Sequence, residues 1–478
     1  MHLQRAQAFR RKISPLGASP STQHPHLLPR SFTTGSLDDE FVLLAGQPPL
    51  PKSLASGAFS HGSSFSSKAK KISTCTSEES VAPIRNGLLG GVLGFWHVLA
   101  GAKLLALMLL FVPAGFWARW SGQSDSIVFA TNFWGIIPLA WLIGKSTEDL
   151  AAVTGEVVGG LLNASFGNVV EMLLCIASIR SGQLNLTKCT LLGSILSNLL
   201  LVMGCSCLLG GLFHKTQHFT EAGANVQVVM LLLSVMTLSL PTGYAYTMRD
   251  EDEHVQAAML KMSRYLSVLL LVAYALYLYF QLVTHSDLFG SPSCCDEEEE
   301  EVPPDLGPRA AASVLAACTV LCALATDYLI DSIHGTVASW GLTQEFVGII
   351  LLPIIGNAAE HYTAMTVAMA DKMDLALGVA VGSSCQMALL VAPFTVVVGW
   401  TTGQEMSLDF HAFQLLVLVG SVLVVAGVLW SRSTHWLYGA MMIIAYLAIA
   451  IVYLCESPGA STFEDRRGTS VLAALNIM

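Results

Sequence analysis

Charge is what this chain has least of: 24 Lys and Arg with 34 Asp and Glu make only 12% of its 478 residues, against roughly a quarter in soluble proteins. A soluble fold of this length would lack the polar groups to cover its surface, so much of the 53% hydrophobic fraction must face lipid. Bases are scarcer than acids, and the formal net charge of −10 removes the electrostatic footprint of a nucleic-acid binder. Two enzyme signatures are also missing. Neither HExxH nor GxSxG occurs in the chain, so intramembrane zinc or serine hydrolysis has no motif to rest on and a non-enzymatic role is expected. The cysteines lack paired spacing. Cys175, Cys189, Cys205, Cys207, Cys318, Cys322 and Cys385 lie inside apolar runs and read as small apolar filler. Cys294 and Cys295 are adjacent in a loop, without the second pair that a metal or redox motif needs.

What the chain does have is a series of hydrophobic runs close to the ~20 residues that cross a bilayer as a helix. Eleven candidate spans are centred near residues 107, 135, 168, 200, 232, 273, 320, 358, 388, 420 and 445. The fold class is therefore an all-α polytopic membrane protein of about eleven transmembrane helices. Residues 1–85, rich in Ser, Pro, Gly and His, read as a disordered tail. Arg5, Arg10, Arg11, Lys12 and Arg30, with no acid in the first 37 residues, leave a mitochondrial or plastid targeting segment as the alternative. Residues 86–284 carry the leading span and five more, 285–309 an acidic loop, 310–455 a second set of five, and 456–478 a short C-terminal tail. The loop holds six consecutive acids, Asp296, Glu297, Glu298, Glu299, Glu300 and Glu301, a solvated segment by composition. Lys and Arg are balanced between the two faces, so charge does not orient the chain.

The two sets of five match each other. Laid on residues 356–399 with a constant offset of 189, residues 167–210 give ten identities in 44 ungapped positions. Gly167, Asn168 and Glu171 meet Gly356, Asn357 and Glu360, while Gly193 and Ser194 meet Gly382 and Ser383. Apolar segments match cheaply, but Gly-Asn-x-x-Glu does not, which points to an internal duplication. Five spans per copy invert the second copy in the membrane, the plan of many secondary transporters.

Glu171 and Glu360 each lie mid-span, where an unpaired carboxylate costs ~3 kcal/mol or more and is functional by default. A protonated Glu bonded to a neighbouring helix is the alternative, and recurrence at matched positions disfavours it. Gly and Asn stand four and three residues before each Glu, on one face if the helix is continuous. Carboxylate, amide and freed carbonyl oxygens suit a hard cation such as Ca²⁺. Ser194 with Asn198, and Ser383 with Gln386, form further polar pairs at helical spacing. Helix packing explains such small polar residues as readily as a site does. Two carboxylates holding one divalent cation are neutral, and so are two carboxylic acids. An empty, doubly ionised site pays heavily for passage through low dielectric, so the pair would exchange a cation for protons. His361, beside Glu360, could hand protons across, or simply bond a neighbouring helix.

GGLLNASFGNVVEM and GIILLPIIGNAAEHYTAMTVAMADKMDLALGVAVGSSCQMALL resemble the two repeat motifs of the cation/proton exchanger family, the vacuolar-type Ca²⁺/H⁺ antiporters of the cation/Ca²⁺ exchanger superfamily. The resemblance runs from about residue 95 to 455. It implies one leading helix plus two inverted five-helix repeats, no cofactor, and movement of Ca²⁺, with Mn²⁺ a second cargo in some members, out of the cytosol into an acidic compartment. It also implies that Glu171 and Glu360 are the paired metal ligands, shaped by Gly167, Asn168, Gly356 and Asn357. His361, Ser194, Asn198, Ser383, Ser384 and Gln386 match further motif positions, and Glu148 a family acid before the first motif. The acidic loop would then gather or sense Ca²⁺ near the entrance. The first motif departs from the family's usual GNATE, losing a hydroxyl beside the glutamate, and Glu156 stands where relatives often carry proline. A Na⁺-driven exchanger would carry more acids in the motifs than Ala358 and Ala359 allow, and a channel would more naturally place its filter on an oligomer axis. The expected partners are therefore Ca²⁺, H⁺ and the lipid bilayer, with a vacuolar or other acidic-organelle membrane as the location. A homo-oligomer is compatible with the sequence.

Overall fold

A computed structural model describes Phe95, Val98 and residues 102–248, 253–286 and 305–456. The N-terminal segment 1–85, the six acids 296–301 and most of the C-terminal segment 456–478 lie outside the described residues, as does the side chain of Glu156.

Among the described residues, ten helices are long and apolar enough to cross a membrane, and a bent pair raises the number to as many as eleven. We number them α1 (Lys103–Trp120), α2 (Asp125–Thr154), α3 (Val157–Arg180), α4 (Leu184–Phe213), α5 (Gly223–Met248), α6 (His254–Thr284) and α7 (Pro308–Asp331). The bent pair follows as α8 (Ile333–Trp340) and α9 (Gln344–Gly356), turning by 115°, then α10 (Ala358–Met369). The chain ends with α11 (Met373–Thr402), α12 (Ala412–Trp430) and α13 (Trp436–Cys455). A two-residue antiparallel pairing, β1 (Gln217–His218) with β2 (Ser433–Thr434), ties two connections together.

The 189-residue offset reappears as geometry. It carries both ends of α4 onto both ends of α11, and these two helices are the most enclosed of all the spans. A helix apolar on every side belongs in the middle of a bundle, which is where the Gly-Ser motifs are held. Even a local detail is copied: Gly182 (φ 72°) turns the chain between α3 and α4, and its match Asp371 (φ 61°) turns it between α10 and α11. Asp and Gly tolerate this left-handed region better than other residues.

Because matched helices are five crossings apart, they run in opposite directions. Connections 214–222, 370–372 and 431–435 emerge on the face from which α1 enters, called here the tail face. Connections 121–124, 181–183, 341–343 and 403–411 emerge on the far face. Charge is placed at these edges. At the tail face Lys145 Nζ lies 3.1 Å from Asp149 and 2.9 Å from Asp305, and the Leu306 amide donates to Asp149 at 3.2 Å, which pins the start of α7 to the end of α2. At the far face Arg119 reaches Asp331 at 3.2 Å. Pairing near the rim lets charged groups serve a lipid-embedded bundle at low cost.

Candidate cation site

The GNxxE helices are not continuous, which corrects the expectation that Gly, Asn and Glu share one helical face. In the first repeat the helix Glu156–Phe166 stops, Asn168 takes φ −110° and ψ 27°, and a new helix runs Val169–Arg180. In the second repeat α9 ends at Gly356, Asn357 takes φ −86° and ψ 12°, and α10 begins at Ala358. Each Glu thus falls in the first turn of a half-helix, where unpaired N–H groups and the helix dipole favour negative charge. Broken helices with their N-termini aimed at the bundle centre are tolerated in a membrane only where protein or a water-filled cavity surrounds them.

The break brings the two repeats into crossed contact. Ser383 Oγ donates to Asn168 Oδ1 at 3.0 Å, and its repeat match, Ser194 Oγ, donates to Asn357 Oδ1 at 2.9 Å. Each half's asparagine is held by the other half's Gly-Ser motif. Beyond this shared plan the two sides differ. Asn168 Nδ2 donates to Gln386 Oε1 at 2.5 Å and Asn198 Nδ2 donates to Ser383 Oγ at 2.9 Å, whereas Asn357 Nδ2 donates to the Ser194 carbonyl at 3.2 Å. Asn168, Asn357, Ser194 and Asn198 are all buried.

The carboxyl groups stand apart from this network. Glu171 is 1% exposed, and neither of its carboxyl oxygens has a hydrogen-bond partner; Glu360 Oε2 is likewise buried and without one. Buried oxygens in native folds are almost always satisfied, and these remain open to a proton or a metal ion. The two groups lie within electrostatic reach of each other. Among the described residues no cluster of three or more His, Cys, Asp or Glu forms a metal site, so a cation here would take two carboxylates and complete its shell with amide, hydroxyl or carbonyl oxygens, a hard donor set.

A cavity of about 450 Å³ reaches this centre. Glu360, Asn168, Ser383 and Gln386 line its inner end, and Glu148, Thr220 and Asp374 line it toward the tail face. Glu360 borders the cavity, whereas Glu171 does not. Gly356 explains the snug placement of Glu171: a Cβ on Gly356 would lie 2.7 Å from Glu171 Oε1 and 3.1 Å from its carboxyl carbon. Gly356→Ala is expected to push that carboxyl aside and lower cation exchange about tenfold, since small misplacements of a working group are costly. A reconstituted-vesicle uptake assay on equal amounts of inserted protein checks this.

Most residues singled out in the sequence converge here, with two exceptions. His361 Nδ1 donates to the carbonyl of Asn357 at 3.0 Å, a bond within its own segment rather than to a neighbouring helix. Ser384 Oγ donates to the Ala380 carbonyl of its own helix, so it stays out of the crossed network. The structure adds Asn163, Gln227 and Gln281 to the cavity wall. Their signal in the sequence was an amide side chain inside a mostly apolar span.

The family model described as "Sodium/calcium exchanger protein" matches residues 125–283 and 310–454. The chain is 39% identical over 362 residues to a "Vacuolar calcium ion transporter" of Schizosaccharomyces pombe (strain 972 / ATCC 24843), spanning 76% of this chain and 87% of that protein. It is 39% identical over 356 residues to a "Ca(2+)/H(+) antiporter" of Aphanothece halophytica, spanning 72% and 95%. Among solved structures, native YfkE superposes with a TM-score of 0.64 at 29% identity, covering 74% of this chain and all of that one.

Proposed function

Since the chain belongs to the sodium/calcium exchanger protein family, we propose that it is a secondary antiporter that exchanges Ca²⁺ for H⁺ by alternating access. The names of its relatives, a vacuolar calcium transporter and a Ca²⁺/H⁺ antiporter, support this reading and support a vacuolar membrane as its location. The observation that carries it is the pair of repeat-matched glutamates whose buried oxygens have no partner. Buried within the bundle, such oxygens must hold either protons or a cation during passage between the faces, because an isolated ionised carboxylate is too costly there. Loaded with one Ca²⁺ or with two protons the pair is neutral, and only neutral forms cross cheaply between faces. Transport follows from that constraint, and no catalytic chemistry is assigned to the chain.

Glu171 and Glu360 are the cation and proton ligands in this reading. The crossed Asn–Ser bonds hold the two broken helices in register, and Gln386 and Asn198 extend the polar lining. Glu148 stands on the route in from the tail face. The oxygen-only donor set admits Mn²⁺ as a second cargo. Na⁺ coupling is disfavoured by Ala358 and Ala359 beside Glu360, where additional oxygen ligands would be wanted.

The test is uptake into vesicles reconstituted with the full chain. Ca²⁺ should accumulate when the interior is acid, and collapse of the proton gradient should reduce uptake at least about tenfold. Uptake that ignores the proton gradient and follows an imposed Na⁺ gradient overturns the proposal.

A further inference from the structure

A lane of small residues leads from the cavity mouth toward Glu360, between α5 and α11. On α11, Asp374, Gly378, Gly382 and Gln386 recur every fourth residue and all line the cavity, so they form one inclined row along the helix. Opposite them, Thr220, Ala224 and Gln227 stand at helical spacing at the start of α5 and line the same cavity. The two rows are tied at both ends. At the mouth the amide and the hydroxyl of Thr220 each donate to Asp374 Oδ1 at 2.7 Å. Eight residues further along α11, about 12 Å deeper at the rise of an α-helix, the lane meets Gln227. A Cβ on Gly382 would lie 3.5 Å from Gln227 Nε2, and the Cys385 thiol donates to the Gln227 carbonyl at 3.4 Å.

Packing does not explain the glycines of this lane. A Cβ on Gly193, the repeat match of Gly382, would lie 2.6 Å from Ile349 Cα and 2.7 Å from Pro353 Cγ, so a neighbour demands glycine there. Nothing lies within 4 Å of a Cβ on Gly378, and one on Gly382 would meet only the Gln227 amide. Gln227 is itself out of place. It is 6% exposed, between Val226 and Val228 in a membrane span, where a buried amide is costly unless it is bonded. Its side chain is hydrogen-bonded to the hydroxyl of Tyr277 on α6, another residue of the cavity wall. With the amide nitrogen given to the phenol oxygen, the amide oxygen is left for the cavity. A bond that served only to join α5 and α6 would not account for the bare backbone opposite it.

We propose that Gln227, oriented by Tyr277, is an intermediate station on the cation's route, where Ca²⁺ exchanges part of its water shell for the amide oxygen before it reaches Glu360. Ca²⁺ holds about six to eight oxygens in a flexible shell and accepts carbonyl oxygens in place of water. The bare backbone at Gly378 and Gly382 gives the still-hydrated side of the ion room to pass. A neutral amide suits the task, because a station on a route must hold the ion strongly enough to admit it and weakly enough to release it. The station rests on the transport reading above, but it acts on Ca²⁺ entry, which binding kinetics measure without any proton gradient.

Gln227→Leu tests it on the purified full chain, with Ca²⁺ association followed by stopped flow, dissociation followed with a chelating dye, and equilibrium binding measured separately. A group that lowers a barrier on the route speeds entry and exit equally. Gln227→Leu should therefore slow association and dissociation together, each at least about tenfold, with the equilibrium constant within about threefold of the parent. Tyr277→Phe, which keeps the ring and frees the amide, should slow both about threefold. Gln227→Glu, which keeps an oxygen at that place, should bind Ca²⁺ no more slowly than the parent. The proposal falls if Gln227→Leu leaves both rates within about twofold of the parent, or if it weakens equilibrium binding about tenfold with association unchanged, the pattern of a residue that serves the central site or the fold. Should Gln227→Leu not fold, Tyr277→Phe decides, and unaltered rates in that variant overturn the proposal. If the parent shows no Ca²⁺-for-H⁺ exchange while the binding rates change as described, the transport assignment fails and the station stands.

Discussion

Exchange by Glu171→Gln and by Glu360→Gln is expected to fall about a thousandfold or more, with the protein still inserted. Glutamine matches the size of the side chain but cannot ionise. With one carboxylate left, a bound Ca²⁺ gives the site a net positive charge in the middle of the bundle, and the return step carries one proton instead of two. An uncompensated buried charge costs several kcal/mol, and about 4 kcal/mol corresponds to three orders of magnitude. The two variants should also differ. Glu360 borders the cavity open to the tail face and Glu171 does not, so Glu360→Gln should weaken Ca²⁺ binding from that face more than Glu171→Gln does. Proton-driven uptake, paired with equilibrium Ca²⁺ binding to the solubilised protein, separates the effects. Exchange above about a tenth of the parent rate in either variant overturns the site assignment.

The second large effect is expected at the crossed asparagines. Asn168→Ala removes the acceptor of the Ser383 hydroxyl and the donor to Gln386; Asn357→Ala removes the acceptor of the Ser194 hydroxyl and the donor to the Ser194 carbonyl. Orphaning buried polar groups costs about 1–3 kcal/mol each, and a helix end freed by 1 Å costs about a hundredfold in a positioned site. Both variants should therefore lose about two orders of magnitude in exchange. Asn168→Ala should lose more, since Asn168 also orients a second side chain of the lining. A double-mutant cycle of Asn168→Ala with Ser383→Ala should show coupling above about 0.5 kcal/mol, whereas Asn168→Ala with Ser194→Ala, members of different pairs, should be closer to additive. Equal, additive losses for both combinations would mean that the crossed bonds do not act as pairs.

The glutamates were legible in the sequence because two mid-span acids in a charge-poor chain have few reasons to exist, and because both repeats carry one. The helix break at the asparagine was not. GNVVE and GNAAE sit inside apolar runs that read as unbroken spans, although Asn followed three residues later by Glu is a helix-start signal, and the break is held by the bonds of Asn168 and Asn357 across the bundle to serines 215 and 163 residues away. Tertiary bonds override local preference when they satisfy groups that the membrane would leave bare. Ser384 shows the reverse. Its match to a motif position suggested a part in the polar lining, but a serine inside a membrane helix can satisfy its hydroxyl on the preceding turn, as Ser384 does on Ala380. His361 likewise spends one ring nitrogen on the Asn357 carbonyl, which also accepts its backbone N–H.

By itself the sequence determined that this is a polytopic helical membrane protein, that it is duplicated and inverted, and that two acids lie where lipid-embedded chain should have none. Those conclusions rest on desolvation cost and span length, which are fixed by residue type and spacing alone. Only the tertiary structure decided which oxygens are bonded and which are left open, and that the tail face is open while the far face is packed. Two halves that share one motif plan carry the same glycines and serines at both faces. Which face is closed at a given moment is therefore a property of how the helices pack, and it lies in the difference between Gly193 pressed against Ile349 and its match Gly382 facing a cavity.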